Sequence, residues 1–454
     1  MTSFPRIPTG PQTTGRYLVL LDDEDIGAGI QALGNNAGVT AFAHSGDFED
    51  HAVIIDEVEE STSVVFDELG VAVVALDSDQ VRSLSTVAAS PNPPMIMEPE
   101  RVVYALPDAE QFRPTIPTPP PAVSDSVNVS LDYLRGYRDA IQQLIDHLTN
   151  GDVNSSLVGA PPGVGAATDE LTWGLMATHV NTSPYSGAGI RVAVLDTGLD
   201  LSHPDFAGRK ITSKSFVEGE EVQDGNGHGT HCIGTACGSK LPTYPRYGVA
   251  YEAEIFAGKV LSDDGGGVDG GILAGINWAV ASDCQIISMS LGAPIQPGQN
   301  FSRVYEQVGK RSLRRGTLII AAAGNDSFRQ YGLVQPVSHP ANCPSIMAVA
   351  AVDSRLAIAP FSNGGLNPRG GQVDVAAPGV DIYSSWPMPT RYSIISGTSM
   401  ATPHVAGVAA LYAQATGAQG NELWARLIQG AKRLPGPSRD VGSGLVQAIQ
   451  QSVG

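Results

Sequence analysis

The sequence predicts an α/β protein, a parallel sheet with helices on both faces, preceded by a small α+β unit. Three observations predict it. From Leu171 onward, fully apolar strands alternate with Ala-rich helical runs, as in parallel sheets covered on both sides. Residues 16–107 read as β-α-β-β-α-β, the ferredoxin-like plan. Between the two lies a Pro-rich break, with Pro114, Pro117, Pro119, Pro120 and Pro121, that forbids a regular element. The chain's 454 residues are more than one core usually holds. The expected order is a disordered start over 1–15, a small unit over 16–107, a linker over 108–167 and a large unit over 168–454.

In the small unit, strands are expected at Arg16–Leu21, Ala52–Asp56, Gly70–Leu76 and Met95–Leu106. Helices are expected at Glu24–Asn35 and Ser78–Ala89, the second capped by Ser78. The linker holds a helical stretch over 130–149, with Leu134, Tyr137, Ile141, Leu144, Ile145 and Leu148 on one face. In the large unit, Arg191–Asp196, Ile255–Leu261, Ile286–Leu291, Leu318–Ala323 and Ile346–Val352 read as strands, and runs near 270–281, 301–315 and 400–416 as helices. Functional residues of such sheets gather at the carboxyl ends of strands, where Asp196 lies.

The formal net charge of −19 is unevenly placed. Residues 1–110 carry 19 acids, four arginines and no lysine, which leaves the remainder near balance at −4. That argues against nucleic-acid binding, which needs a basic footprint; the acidic part serves solubility. No run of about 18 apolar residues is present, so no membrane span is expected. The start, Met1-Thr2-Ser3-Phe4-Pro5-Arg6, lacks the pattern of an export signal, so a cytoplasmic location is expected, or secretion if a leader has been removed. Cys232, Cys237, Cys284 and Cys343 lack the spacing of a zinc site, and four cysteines in this length fit a reducing compartment.

Three motifs carry chemistry. Val192-Ala193-Val194-Leu195-Asp196-Thr197-Gly198 is a buried strand ending in a carboxylate. Asn226-Gly227-His228-Gly229-Thr230-His231 is a Gly-flanked loop that opens a helix with an imidazole at its mouth. Ser396-Gly397-Thr398-Ser399-Met400-Ala401-Thr402-Pro403-His404 sets a hydroxyl at the start of an apolar helix, where unpaired N–H groups favour developing negative charge. Asp, then His, then Ser is one chain order that builds a hydrolytic triad.

These segments resemble the triad motifs of the subtilisin family of serine proteases, and the match runs from about Trp173 to about Gln450. The resemblance implies a subtilisin-like sheet and a serine endopeptidase acting through an acyl-enzyme. Ser399 is then nucleophile, His228 base and Asp196 its orienter. Asn325 in Ala323-Gly324-Asn325-Asp326 joins the backbone N–H of Ser399 as oxyanion donor. His231 and His404 compete weakly with His228 for the base. Ser290, Leu291 and Gly292 are expected to wall one side of the specificity pocket, and Ala323 and Gly324 the other, with the floor near Ser338. Cys232, where proteinase K-like members carry a buried cysteine, reads as a small core residue. The resemblance also implies structural calcium, with none needed for the chemistry. Asp374 with the carbonyls of Pro344 and Ile346 would form one site and Asp205 would belong to another, although the loop Gly238–Pro245 lacks the Asn-rich pattern of that second site.

The small unit stands where this family carries an inhibitory propeptide, with Arg101–Leu106 as the strand that enters the cleft. Self-cleavage is then expected between about Leu106 and Glu170. The implied partners are protein or peptide substrates and the chain's own propeptide, with no nucleic acid or membrane, and a monomer is expected. Two rivals stay open. One is a dedicated maturation protease for a single protein or peptide; the other is a masked, non-catalytic protease-fold binding protein.

Overall fold

A computed structural model describes residues 12–22, 26–59, 62–88, 95–106, 170–240 and 245–450. The expected linker, its helix over 130–149 and nearly all of the interval proposed for self-cleavage lie outside them. The N-terminal part runs β1 (Thr13–Leu21), α1 (Ile26–Ala37), β2 (Phe42–His44), β3 (Ser63–Phe66), β4 (Val71–Ala75), α2 (Ser78–Ala88) and β5 (Met95–Ala105). Its sheet has the order β5-β1-β4-β3-β2, antiparallel except for the β2–β3 pair. Alternation along β1 and β4 gives the sheet two apolar faces. Val19, Leu21, Ala72 and Val74 pack with Leu33 and Leu84 of the two helices. Leu18, Leu20, Val71 and Val73 join the core of the rest of the molecule. A face that would otherwise be exposed is therefore buried against the large unit.

Three expectations change here. Residues 52–56 are not a strand; short 3-10 turns cover 49–51 and 55–57, and the sheet is filled by β2 and β3 instead. The apolar run Ala52-Val53-Ile54-Ile55 buries side chains in the core without pairing its backbone. Ser78 is the first helical residue, and the cap is Asp77, whose Oδ1 accepts from the N–H of Asp79 (2.9 Å) and Gln80 (2.8 Å). Residues 13–15 belong to β1, where Thr13 pairs Arg101 across a bulge.

The C-terminal part contains α3 (Trp173–Ala177), β6 (Arg191–Asp196), β7 (Ile211–Ser215), α4 (His228–Cys237), β8 (Glu254–Lys259), β9 (Gly266–Val268) and α5 (Asp269–Ala281). It continues with β10 (Ile286–Met289), β11 (Leu291–Gly292), α6 (Arg303–Arg314), β12 (Leu318–Ala322), β13 (Met347–Val352) and β14 (Val375–Pro378). The last elements are β15 (Ile382–Ser385), β16 (Tyr392–Ile395), α7 (Thr398–Thr416), α8 (Gly420–Gly430) and α9 (Ser438–Val441). A seven-stranded sheet runs β14-β13-β12-β10-β6-β8-β7, parallel throughout. Its central strands β10, β12 and β13 are buried along their whole length, which explains why they are apolar except for Ser288. β6, the strand ending in Asp196, lies between β8 and β10.

Candidate active site

Asp196 closes β6 with no solvent exposure. Its Oδ1 accepts from the N–H of Thr197 (2.8 Å) and lies 2.7 Å from Nδ1 of His228. His228 is the first residue of α4, held there by a feature that the motif reading missed. Asp224 is buried, and its Oδ1 accepts from the N–H groups of Asn226 (3.0 Å) and Gly227 (2.8 Å) and from Oγ1 of Thr197 (2.9 Å). Its Oδ2 accepts from N–H and Oγ1 of Thr230. One carboxylate thus ties the mouth of α4 to the strand carrying Asp196. The signal was legible: an Asp just ahead of Asn-Gly before a helix is a capping and turn residue. Gly227 sits at φ 109°, and a methyl there would meet the Trp386 ring at 2.4 Å, so only glycine fits.

Burial works against protonating His228, but Asp196 beside it, with Cys232, outweighs this and holds its pKa well above the usual imidazole range. Nε2 of His228 is buried, with no hydrogen bond among the described residues. The other two histidines of the motifs are placed elsewhere. His231 Nε2 meets the carbonyl of Ile382 (2.9 Å) and His404 Nδ1 that of Met400 (2.8 Å). Burial drives their pKa values down to about 3 and about 4, so both stay neutral. Burial pushes the Cys232 thiol up to about 11, which leaves no useful thiolate near neutral pH.

Ser399 is the second residue of α7 and is fully buried. Pro403 lacks the N–H that would bond the Ser399 carbonyl four residues back. That carbonyl instead accepts from Oγ of Ser290 (2.8 Å) and Sγ of Cys232 (3.5 Å), which fastens the start of α7 between α4 and the end of β10. Oδ1 of Asn325 accepts from N–H (2.9 Å) and Oγ1 (2.8 Å) of Thr398. The amide nitrogen of Asn325 is thereby turned toward Gly397, where a methyl would lie 3.0 Å from it.

The cleft beside these groups holds the end of β5. Leu291 and Gly292 pair antiparallel with Ala105 and Tyr104, and β9 pairs the other edge, Gly266 with Tyr104 and Val268 with Val102. N–H of Ala105 donates to Gly265 O (2.8 Å) and N–H of Leu106 to Ser290 O (3.4 Å). Oγ of Ser399 lies 3.3 Å from the carbonyl oxygens of both Leu106 and Ser290. Val103 and Leu106 are buried, while Tyr104 between them is 43% exposed. A methyl on Gly292 would come within 2.7 Å of His339 O, so glycine is needed where β11 passes His339. Ala323 and Gly324 follow β12, where Ala323 O accepts from the N–H of Ser338 (2.9 Å). Beyond Leu106 the cleft opens into a cavity of about 610 Å³ lined by His228, Asn226, Trp386 and Ile395.

The family model for the subtilase family, Peptidase S8, matches residues 187–444. The chain belongs to the subtilase family. It is a serine endopeptidase of subtilisin-like α/β fold, as its relatives also indicate. Subtilisin BL of Lederbergia lenta is 38% identical over 284 residues, 61% of this chain and 97% of that protein. Subtilisin E of Bacillus subtilis is 40% identical over 239 residues, 52% of this chain and 58% of that one. M-protease of Shouchella clausii is 34% identical over 339 residues, 72% and 83% of the two chains.

The two places where a calcium ion is expected differ in chemistry. Among the described residues the Asp374 carboxylate accepts one hydrogen bond, from the N–H of Ala348 (2.8 Å). Burial raises its pKa to about 7 against that bond. A carboxylate so poorly compensated suits a hard cation with oxygen ligands. Asp205 does not fit. Its Oδ2 accepts from the hydroxyl of Tyr247 (2.7 Å), and its Oδ1 from Nη2 of Arg391 and the hydroxyl of Tyr392 (3.2 Å each). The expectation of Asp205 as a metal ligand is corrected accordingly: both oxygens are taken by protein donors. Among the described residues no helix is long and apolar enough to cross a membrane.

Proposed function

We propose that Asp196, His228 and Ser399 cleave peptide bonds as a triad and that the N-terminal part is an inhibitory propeptide, making the chain a zymogen. The observation that carries this reading is the 3.3 Å approach of Ser399 Oγ to the Leu106 carbonyl, with β5 paired on both edges like a substrate. Ser399 turns from Leu106 O toward Nε2 of His228, gives up its proton there and adds to the substrate carbonyl. His228 can hold the proton because Asp196, 2.7 Å away on Nδ1, compensates the imidazolium. The tetrahedral oxyanion falls to the N–H of Ser399 and the amide nitrogen of Asn325. His228 then passes its proton to the leaving amine, which departs into the cavity lined by Asn226 and Trp386. Water repeats the sequence on the acyl-enzyme. Ser290, Leu291 and Gly292 pair the substrate backbone, and the space around Gly292, Ala323 and Gly324 receives the side chain that Leu106 now fills. A structural calcium would rest on Asp374, Pro344 and Ile346, and no step of the chemistry uses it.

The inhibitory reading has further support in the contacts of β5. Glu98 accepts from the N–H of Arg303 (2.7 Å) and Oγ of Ser302 (2.6 Å) at the start of α6. Glu100, fully buried, accepts from the N–H of Gly270 (2.9 Å) at the start of α5. Two carboxylates therefore meet the positive ends of two helices. From the other side Arg311 donates to the carbonyls of Leu21 (2.8 Å), Leu69 and Gly70.

The test is N-terminal sequencing of the purified full chain after incubation, beside Ser399→Ala, with labelling by a serine-directed fluorophosphonate. Cleavage beyond Leu106 in the wild type alone, followed by labelling of Ser399, is the expected result. Identical fragments in both proteins would remove self-processing. Absence of labelling even after limited proteolysis would favour a masked binding protein.

A further inference from the structure

The mismatch at Asp205 points to a protein-built substitute for a metal. Asp205 is buried, 2% exposed, and a carboxylate so placed needs compensation. Relatives that ligate calcium through this aspartate would supply it with the ion. Here Arg391 supplies a positive charge at 3.2 Å, and the hydroxyls of Tyr247 and Tyr392 donate to Oδ2 and Oδ1. Burial and the nearby Asp205 push both phenols well above their ordinary range, so they remain O–H donors. The backbone carbonyls of the same corner are also engaged. Arg209 donates to the carbonyls of Cys237 and Ala253, and Arg246 to those of Gly248 and Val249 (3.1 Å each). Lys240 and Arg246 stack on the Tyr251 ring at 5.0 and 4.5 Å. Arg391 thus faces Asp205 directly, and Glu252 acts on Arg209. A divalent cation would meet like charge there.

The corner also reaches the cleft. Arg391 lies at the turn between β15 and β16, in the left-handed region at φ 69°. Its carbonyl is held by the ring of His203 (2.8 Å) and by the N–H of Trp386 (2.7 Å). Trp386 in turn packs edge-on against His231 at 6.2 Å and walls the cavity next to His228.

We propose that Arg391, with Tyr247 and Tyr392, replaces a divalent cation at Asp205 and fastens the β15–β16 hairpin, with Trp386, without metal. The experiment measures thermal unfolding of the full-length protein in excess chelator and in millimolar calcium. Ser399→Ala prevents self-digestion and Asp374→Asn removes the other place for an ion. The expected result is no calcium-dependent shift in this protein. Adding Arg391→Ala should lower Tm by a few degrees (roughly 2 °C or more) and create a rise in Tm with calcium, because the freed carboxylate then accepts the ion. Arg391→Lys, which keeps the charge, should lower Tm less and gain less from calcium. The proposal is overturned if the Asp374→Asn protein is still stabilised by calcium and Asp205→Asn abolishes that gain. It is equally overturned if Arg391→Ala leaves Tm and its indifference to calcium unchanged. Neither outcome depends on the assignment of the triad.

Discussion

At the scale of single residues, the site depends on neighbours that settle charge and direction. The carboxylate of Asp196 raises the His228 pKa despite burial, and the base must be neutral to accept the Ser399 proton. kcat/KM should therefore climb with pH through a titration above the usual imidazole range. Asp196→Asn should reduce kcat by about 10⁴-fold and move that titration down, as read from pH–rate profiles on a peptide substrate. Asn325→Ala should lower kcat by about 100–1000-fold with little change in KM, a magnitude known from a bacterial subtilisin rather than from this chain. In the sequence Leu106 is followed by Pro107, whose nitrogen carries a ring carbon in place of hydrogen. Pro107→Ser should speed cleavage directly after Leu106, followed by mass spectrometry of the fragments over time. An unchanged rate at that bond would separate the proline from the timing of processing.

Elements bring these residues together through their ends. α4 and α7 present His228 and Ser399 in their first turns; the carboxyl end of β6 presents Asp196, and the end of β10 leads into the strand that pairs β5. α5 and α6 are used differently, since their starts receive Glu100 and Glu98 from β5. Each such carboxylate at a helix start is worth about 1 kcal/mol. Glu98→Ala with Glu100→Ala should loosen the occupied cleft by roughly 10–30-fold, seen as faster fluorophosphonate labelling of the uncleaved protein. Labelling at the wild-type rate would show that strand pairing alone holds β5.

For the whole molecule, the N-terminal sheet and the subtilase part share one core across Leu18, Val71 and Val103, so occupation of the cleft is coupled to folding. Stability should also carry a signature of Asp374. Its folded-state pKa near 7 lies above the ordinary 3.8, so the folded state binds this proton more tightly than the unfolded chain. Stability from this group is lost as pH rises from about 4 to about 7. A calcium ion would take over the proton's role. Calcium should accordingly raise Tm more above pH about 8 than below about 5, and Asp374→Asn should remove the difference, by calorimetry on the Ser399→Ala protein. A gain from calcium that is equal at both pH values would show that the ion binds elsewhere.

The amino-acid sequence by itself determined the parallel sheet and the residues of the three motifs, because both rest on local signals. Unbroken apolar strands mark burial on two faces, and short Gly-rich runs fix a side chain at the end of an element. The strand over 52–56 was misread because apolar residues that fill a core look the same whether or not their backbone pairs. Asp224 is marked as a turn residue by its place ahead of Asn226-Gly227, but its tie to Thr197 beside Asp196 exists only in the fold. Which atoms of the cleft meet Leu106, and what neutralises Asp205, only the tertiary structure decided. Leu106 lies 293 residues from Ser399, and Arg391 186 from Asp205. Compensation of a buried charge is a property of space, and nothing in the neighbouring residues announces whether an ion or a guanidinium will provide it.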